Sequence, residues 1–255
     1  MTHSTDRTEA AGAADDARLL ALNDVIRYTG WAVFRAAEPF DGSAAELAKH
    51  LGVALYGESG EPTDPAGGAE EPGVVVRGIY DVSGLRADAD LMFWLHAPRA
   101  EQVQQAFRAI RRGAAAAGAE LELTWSALGL HRTAEFSKTH VPAFLAGIAP
   151  RGWAAVYPFV RSKEWYLLPD DERRGMLGEH GRMGREYPQV VSNTVSSFAL
   201  GDYEWMLALE ADDLHDLVDL MRHLRYSTAR RHVIEETPFF TGRRIALDEV
   251  GDVVA

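Results

Sequence analysis

Apolar and polar positions along the chain change period in a regular order, and that order occurs twice. Residues 25–37 have the pattern of a strand (Ile26, Tyr28, Val33, Phe34), and Ser43 then caps a short helix running to 51. Residues 74–82 and 90–97 read as two strands around the turn-like Ser83-Gly84-Leu85-Arg86. A helix over 99–118 carries Val103, Ala106, Phe107 and Ile110 at helical spacing. Residues 120–128 alternate Leu121, Leu123 and Trp125 with polar residues, which predicts a strand. In the second half, 153–162 is a strand and 169–185 a helix. Pro169 stands near the helix's first turn, and Asp170, Asp171 and Glu172 suit its dipole. Strands at 190–200 and 203–211 meet at Gly201-Asp202. A helix at 212–225 carries Leu214, Leu217, Val218, Met221 and Leu224, and a final strand covers 233–240, interrupted at Pro238.

Each half therefore reads β-α-β-β-α-β, the ferredoxin-like order. The expectation is an α+β chain of two tandem ferredoxin-like domains, at 19–130 and 153–255, joined by a connection over 131–152. Their sheets should lie side by side, with a cavity between a sheet and its helices. The loop at 57–73, rich in Gly, Pro, Glu and Asp, reads as exposed. The polar, acidic, Ala-rich stretch over 1–18 reads as a disordered tail without the basic-then-apolar order of a signal peptide, which suggests a cytoplasmic protein.

Composition narrows the chemistry. A net charge of −12 repels phosphate backbones and argues against a nucleic-acid partner. No apolar run is long enough to span a membrane. The chain has no cysteine, which removes disulfides, thiolate metal sites, iron–sulfur clusters and cysteine nucleophiles together. A bound metal must be held by His, carboxylate, Tyr or Met.

Within the strand at 153–162, alternation puts Trp153, Ala155, Tyr157, Phe159 and Arg161 on one face. A phenol and a guanidinium then stand about 13 Å apart on an otherwise apolar surface. Such a face suits a large flat ligand with acidic arms, although a buried strand tyrosine is more often simply core. His180 shares a helix face with Met176, Leu177 and Met183, so it points at the core. Gly178, Gly181 and Gly184 flank it, each costing roughly 1 kcal/mol against Ala in a helix. A core-facing histidine alone is usually structural. Beside three glycines and without a second ligand at metal spacing, a single axial bond to haem iron explains it better. His3, His50, His215 and His223 read as surface residues, and His96 and His131 stay undecided near strand ends. His140, before Val141-Pro142, reads from spacing as an ordinary loop histidine. Arg222, Arg225, Arg230, Arg231 and His232 form a basic cluster, either a solvated face or a carboxylate-binding one.

The second half resembles the actinobacterial coproheme decarboxylases of the chlorite-dismutase-like superfamily. The stretches that carry the resemblance are Tyr157-Pro-Phe-Val-Arg161-Ser, Trp165-Tyr166-Leu-Leu-Pro-Asp170, Glu179-His180-Gly181, Phe198-Ala-Leu-Gly-Asp-Tyr-Glu-Trp205, Asp219-Leu-Met-Arg-His-Leu-Arg225 and Thr237-Pro-Phe-Phe-Thr-Gly242. They cover 151–244 densely, while the first half matches by element order. The resemblance implies a dimeric α+β barrel of chlorite-dismutase type, assembled as a homopentamer. It implies that His180 is the proximal iron ligand, that Tyr157 is the redox-active tyrosine, and that His140 is the distal histidine. Arg161 and Arg230, and with them Arg225, match propionate-binding positions, while Trp165 and Met176 belong to the same pocket. The implied reaction is peroxide-driven oxidative decarboxylation of iron coproporphyrin III to haem b, two propionates becoming vinyl groups. The substrate then doubles as the redox cofactor, hydrogen peroxide is the oxidant, and a coproporphyrin ferrochelatase is a partner to consider. Chlorite-degrading relatives carry a distal arginine on the strand after the proximal helix. Ser192-Asn193-Thr194 stands in that region, with no arginine between Arg185 and Arg222. A haem carrier or sensor would keep His180 and the arginines yet has no need of Tyr157 with a distal base. A dye-type peroxidase would want a distal Arg or acid.

Overall fold

The computed structural model describes residues 16–255, so most of the tail expected over 1–18 lies outside it. Its last residues already belong to a helix at 16–22 (α1). The first half then runs β1 (Tyr28–Ala36), α2 (Ala44–Tyr56), β2 (Val75–Asp81), β3 (Leu91–Ala97), α3 (Ala100–Ala116) and β4 (Leu121–Leu130). The second runs β5 (Trp153–Arg161), α4 (Asp170–Gly184), β6 (Val191–Ser196), β7 (Trp205–Ala211), α5 (Leu214–Leu224) and β8 (Val233–Glu235). Then β9 (Phe240–Ile245) and α6 (Val250–Val253) end the chain, and short 3-10 turns occupy Trp165–Leu167 and Thr228–His232. Local signals behave as physics requires. The Ser43 hydroxyl accepts from the Glu46 N–H at the start of α2, satisfying a donor the helix cannot.

The strand order β4-β1-β3-β2 in the first half is that of a ferredoxin-like unit, and the second half repeats it through β5, β6 and β7. Pairing of β4 with β6 and of β2 with β9 joins the two sheets, and β5 also pairs with β7, so eight strands close into a barrel in which neighbouring strands run antiparallel. Closure leaves no free edge in that ring. Trp31, Val33, Tyr80, Met92, Trp94, Val156, Met206 and Phe240 fill its interior. A second core, with Phe34, Leu47, Leu51, Phe93 and Ile110, lies between the first sheet and α2 and α3. A third, with Ala155, Tyr157, Leu209, Leu217 and Leu220, lies between the second sheet and α5.

Two boundaries differ from the sequence reading. The last strand does not end at 240. Val233–Glu235 pairs with the far end of β5, and after a break the chain pairs again with Trp153–Val156 as β9. Pro158, with no N–H to give, stands opposite that break. The chain end also leaves the second unit: Ile245, Val250 and Val254 are buried in the first core, beside Leu47 and Leu51 of α2.

The interior carries charge. Arg77 and Glu210, both fully buried, are bonded through Nε at 2.9 Å and Nη2 at 2.6 Å to one carboxylate oxygen. Arg27 Nε donates to His96 Nδ1 at 2.6 Å, so that nitrogen must be unprotonated. Burial, then the Arg27 charge, holds His96 well below the ordinary histidine range. Burial does the same to His131, lowered to about 4. An imidazole kept neutral by the fold is protonated first in the unfolded chain, so stability is lost as pH falls from about 6.5 towards 4. Denaturant midpoints should be flat above about pH 6.5 and fall below it, and His131→Gln should flatten the slope.

Candidate active site

Register builds the site face. Tyr157 pairs with Leu207, and Leu207 with Thr194, so these three form a row across β5, β7 and β6. The neighbouring rows are Ala155, Leu209 and Ser192 on one side and Phe159, Trp205 and Ser196 on the other. Paired residues share a face, and alternation sends the residues between them to the barrel interior. Asn193 is accordingly buried inside, its Oδ1 accepting from the Phe144 N–H at 2.9 Å and its Nδ2 donating to Glu210 at 2.9 Å. The outer face therefore grades from small hydroxyls on β6 through an apolar middle to a phenol and a guanidinium on β5.

α4 covers this face without sealing it. No α4 residue is fully buried; Met176, Leu177, His180 and Met183 are all half-buried on one side of it. Its main neighbours are α5 and the Thr228–His232 turn rather than the strands. Glu179 accepts from the Thr228 N–H at 2.7 Å and also from its hydroxyl, which fixes the helix beside His180. A Cβ built on Gly184, which is half-buried one turn beyond His180, would meet no atom within 4 Å. One on Gly181 would meet only the Arg185 guanidinium at 3.6 Å. Gly178 lies on the exposed side and takes no part.

Tyr157 is 5% exposed, stacked on Phe239 with ring centres 4.4 Å apart. Its hydroxyl donates to the Met221 thioether at 3.4 Å, a weak acceptor, so the phenolic proton is loosely held. Burial, with Glu236 nearby and Arg225 opposing, pushes its pKa far above the ordinary tyrosine value. It is thus a neutral phenol at any physiological pH. Arg161 donates through Nη1 to the Ala229 carbonyl at 3.1 Å and lies 4.2 Å over the Trp165 ring. Trp165 is buried behind that guanidinium, so its reach into the site runs through Arg161. The chain from His180 through Glu179, Thr228 and Ala229 to Arg161 links the two walls in a few bonds.

His140 lies on the connection. Glu135 pairs with Arg173 of α4 at 2.8 Å, and the Phe136 ring takes Arg174 at 5.0 Å, docking this loop on the helix that carries His180. His140 is open to solvent, yet surrounding protein lowers its proton affinity. Burial, then the Arg161 charge, lowers His180 too, and the field of His140 reaches it. Its imidazole is neutral, with one nitrogen lone pair to offer. Among the described residues no cluster of three or more His, Asp or Glu could hold a metal by itself. A metal meeting His180 must bring its other ligands with it, as iron in a porphyrin does.

Arg225 and Arg230 converge, but on the chain's own Glu236, both through Nη1 to a single carboxylate oxygen, the Arg230 contact at 2.6 Å. Sequence reasoning gave no role to Glu236, Glu204, Met221 or Phe239. Glu204 accepts from the Arg161 N–H at 2.8 Å and the Tyr166 hydroxyl at 2.7 Å. Glu204, Met221 and Phe239, like Trp205 stacked on Phe159, stand inside the matching motifs without a role there, and Glu236 stands outside them.

A closed barrel of two ferredoxin-like units, with a half-buried histidine facing a Tyr and Arg strand, defines the class. The chain belongs to the chlorite dismutase family, whose model matches residues 57–245. Coproheme decarboxylase of Mycolicibacterium smegmatis is 52% identical to it over 231 residues, covering 90% of this chain and 95% of that protein. The chlorite dismutase of Candidatus Nitrospira defluvii, solved with imidazole, shares the fold at a TM-score of 0.71 and 22% identity, covering 93% of this chain and 98% of that one. A mutant of that enzyme gives a TM-score of 0.72 over the same shares.

Proposed function

We propose that this chain decarboxylates iron coproporphyrin III to haem b, using hydrogen peroxide to convert two propionates to vinyl groups. The observation that carries the reading is that Arg161, on the Tyr157 face of β5, and His140 both lie close enough to His180 to lower its proton affinity. The near full-length similarity to a coproheme decarboxylase supports it. For each propionate, the carboxylate, one peroxide and one proton give a vinyl group, CO2 and two waters. The bound iron supplies the means of passing peroxide's two oxidising equivalents onward.

The chain's residues divide the remaining work. His180, neutral and half-buried, would supply the nitrogen ligand for the iron. Arg161, charged and held over the Trp165 ring, would meet a carboxylate in fixed orientation. His140, also neutral, would accept the peroxide proton. Tyr157 presents a protonated, loosely bonded phenol, so losing an electron means losing the proton too. The resulting radical can take hydrogen from the β-carbon of a propionate held by Arg161. Ser192 and Thr194 occupy β6 on the site face where a chlorite-degrading relative would need an arginine, and so favour this reading over chlorite chemistry. A carrier or sensor would have no use for the phenol. A homopentamer, supply by a coproporphyrin ferrochelatase and a cytoplasmic location belong to the same proposal. Among the described residues no helix is long and apolar enough to cross a membrane.

The test is to titrate the protein with iron coproporphyrin III, add peroxide and follow product mass. Loss of 44 mass units and two hydrogens, twice over, is the expected course on the stoichiometry above (approximately nominal masses). His180→Ala should still bind the porphyrin through its carboxylates but lose the histidine-ligated absorption spectrum. An unchanged spectrum would sink the assignment.

A further inference from the structure

Arg225 and Arg230 are the strongest carboxylate binders near the site after Arg161, yet both are engaged by the chain itself. Their partner Glu236 lies in the break between β8 and β9, in the segment that also lays Phe239 over Tyr157. Its carboxylate bonds Arg225 and Arg230, and, three residues on, the Phe239 ring stacks on Tyr157. It therefore sits beside groups assigned to the substrate. The mode of bonding is unusual for a permanent bridge. Both arginines use a single N–H on the same oxygen, and both side chains keep more than a third of their surface exposed, at 39% and 37%. A guanidinium has five donors and binds carboxylates best in a two-bond fork. Here neither fork is used on Glu236, so an incoming propionate can make the better bond.

We propose that Glu236 is a positioning residue, an internal carboxylate that holds Arg225 and Arg230 ready, yields them to a substrate propionate, and takes them back when the bound carboxylate is lost as CO2. This deepens, and rests on, the coproheme reading. Charge gives the reason for such a device. Two free guanidiniums side by side repel each other and would bind substrate and product carboxylates tightly alike. A resident carboxylate competes with the substrate propionate, and once that propionate is lost as CO2 it occupies both arginines in place of the product's remaining carboxylates. Glu236 thus favours release of haem b over retention. Arg161, whose side-chain bond goes to a backbone carbonyl, has no such competitor and keeps its grip throughout.

The experiment compares the intact protein with Glu236→Gln. Affinities for iron coproporphyrin III and for haem b are read from absorbance titrations, and haem b release from transfer to excess apomyoglobin. Removing the competing charge should tighten iron coproporphyrin III by about tenfold, the scale of one charge-assisted bond, and haem b, which lacks the carboxylate lost as CO2, by less, slowing its transfer by the same smaller factor. If Glu236 merely scaffolds the arginines, its loss weakens binding, so the sign decides: equal or weaker coproporphyrin affinity overturns the proposal. Should Glu236→Gln not fold, Glu236→Asp serves, since its shorter side chain reaches only one guanidinium. It should tighten both ligands by a smaller factor, and unchanged or weaker binding is again fatal. An unsubstituted protein that fails to bind iron coproporphyrin refutes the functional reading itself, a different failure from normal binding with the wrong sign in the variants.

Discussion

Tyr157→Phe should bind iron coproporphyrin III with nearly unchanged affinity and release almost no CO2. The ring's packing role survives the change, because its contact with Phe239 is face to face and its hydroxyl makes only the weak bond to Met221. What is lost is the phenol that the proposal makes give up a proton and an electron together. Positioned acid–base groups commonly contribute about 10²–10⁴ in rate, and loss of the proposed hydrogen-atom acceptor should reach at least the lower end. The measurement is CO2 or product mass per peroxide added, at saturating substrate, so that binding and chemistry separate. His140→Ala should behave differently, still decarboxylating but slowly, with a deficit that shrinks as pH rises and peroxide deprotonates unaided. Burial lowers the His140 pKa, so in the proposed role it would serve as a base over the whole range above that pKa. Two-step decarboxylation persisting in Tyr157→Phe would rule out the tyrosyl route. A pH-independent deficit in His140→Ala would rule out the base.

What the sequence makes legible follows from periodicity. The alternation through 153–161 identifies the site face of β5 residue by residue, because one of its faces is apolar and the other is filled by barrel interior. The half-buried side of α4 is legible for the same reason. On β6 Val191 and Val195 alternate with Ser192, Thr194 and Ser196, which puts Asn193 on the valine face, but nothing in the pattern says that this buried amide meets the Phe144 N–H and Glu210. The restart of pairing at Phe240 is hidden too, since Thr241-Gly242-Arg243-Arg244 has little strand character and is held by partners on both sides. Glu236 could not be distinguished from Glu235 beside it. Its role is set by which way a broken strand turns, and that depends on β5. Trp165 shows the opposite limit. Its presence in a matching motif is legible, but only the packing shows that Arg161 covers its ring.

The least legible element, the Arg77 and Glu210 pair, carries the largest expected effect on stability. The two residues are 133 positions apart and both at zero exposure. Glu210 also accepts from Asn193 of β6 at 2.9 Å and from the Arg151 N–H at 3.2 Å, while Arg77 donates to the Ile148 carbonyl at 2.9 Å and lies over Trp94. One buried knot thus ties β2, β6 and β7 to the connection that carries His140, from behind the face that carries Tyr157. Burial pushes Glu210's pKa up against the pull of Arg77 and its other partners, so the ionised pair is not a strong source of net stability. Breaking it is another matter, because the survivor is a lone charge with no water. Glu210→Ala should lose about 3–5 kcal/mol of unfolding free energy, on the order of 10 °C in melting temperature for a chain of this size. The double replacement Arg77→Met with Glu210→Leu removes both charges while keeping volume, and should recover most of that loss. Denaturant titrations of the single and double variants measure the coupling directly. If the double variant is as unstable as the single one, the loss comes from the backbone bonds to Ile148 and Arg151 rather than from an unpaired buried charge.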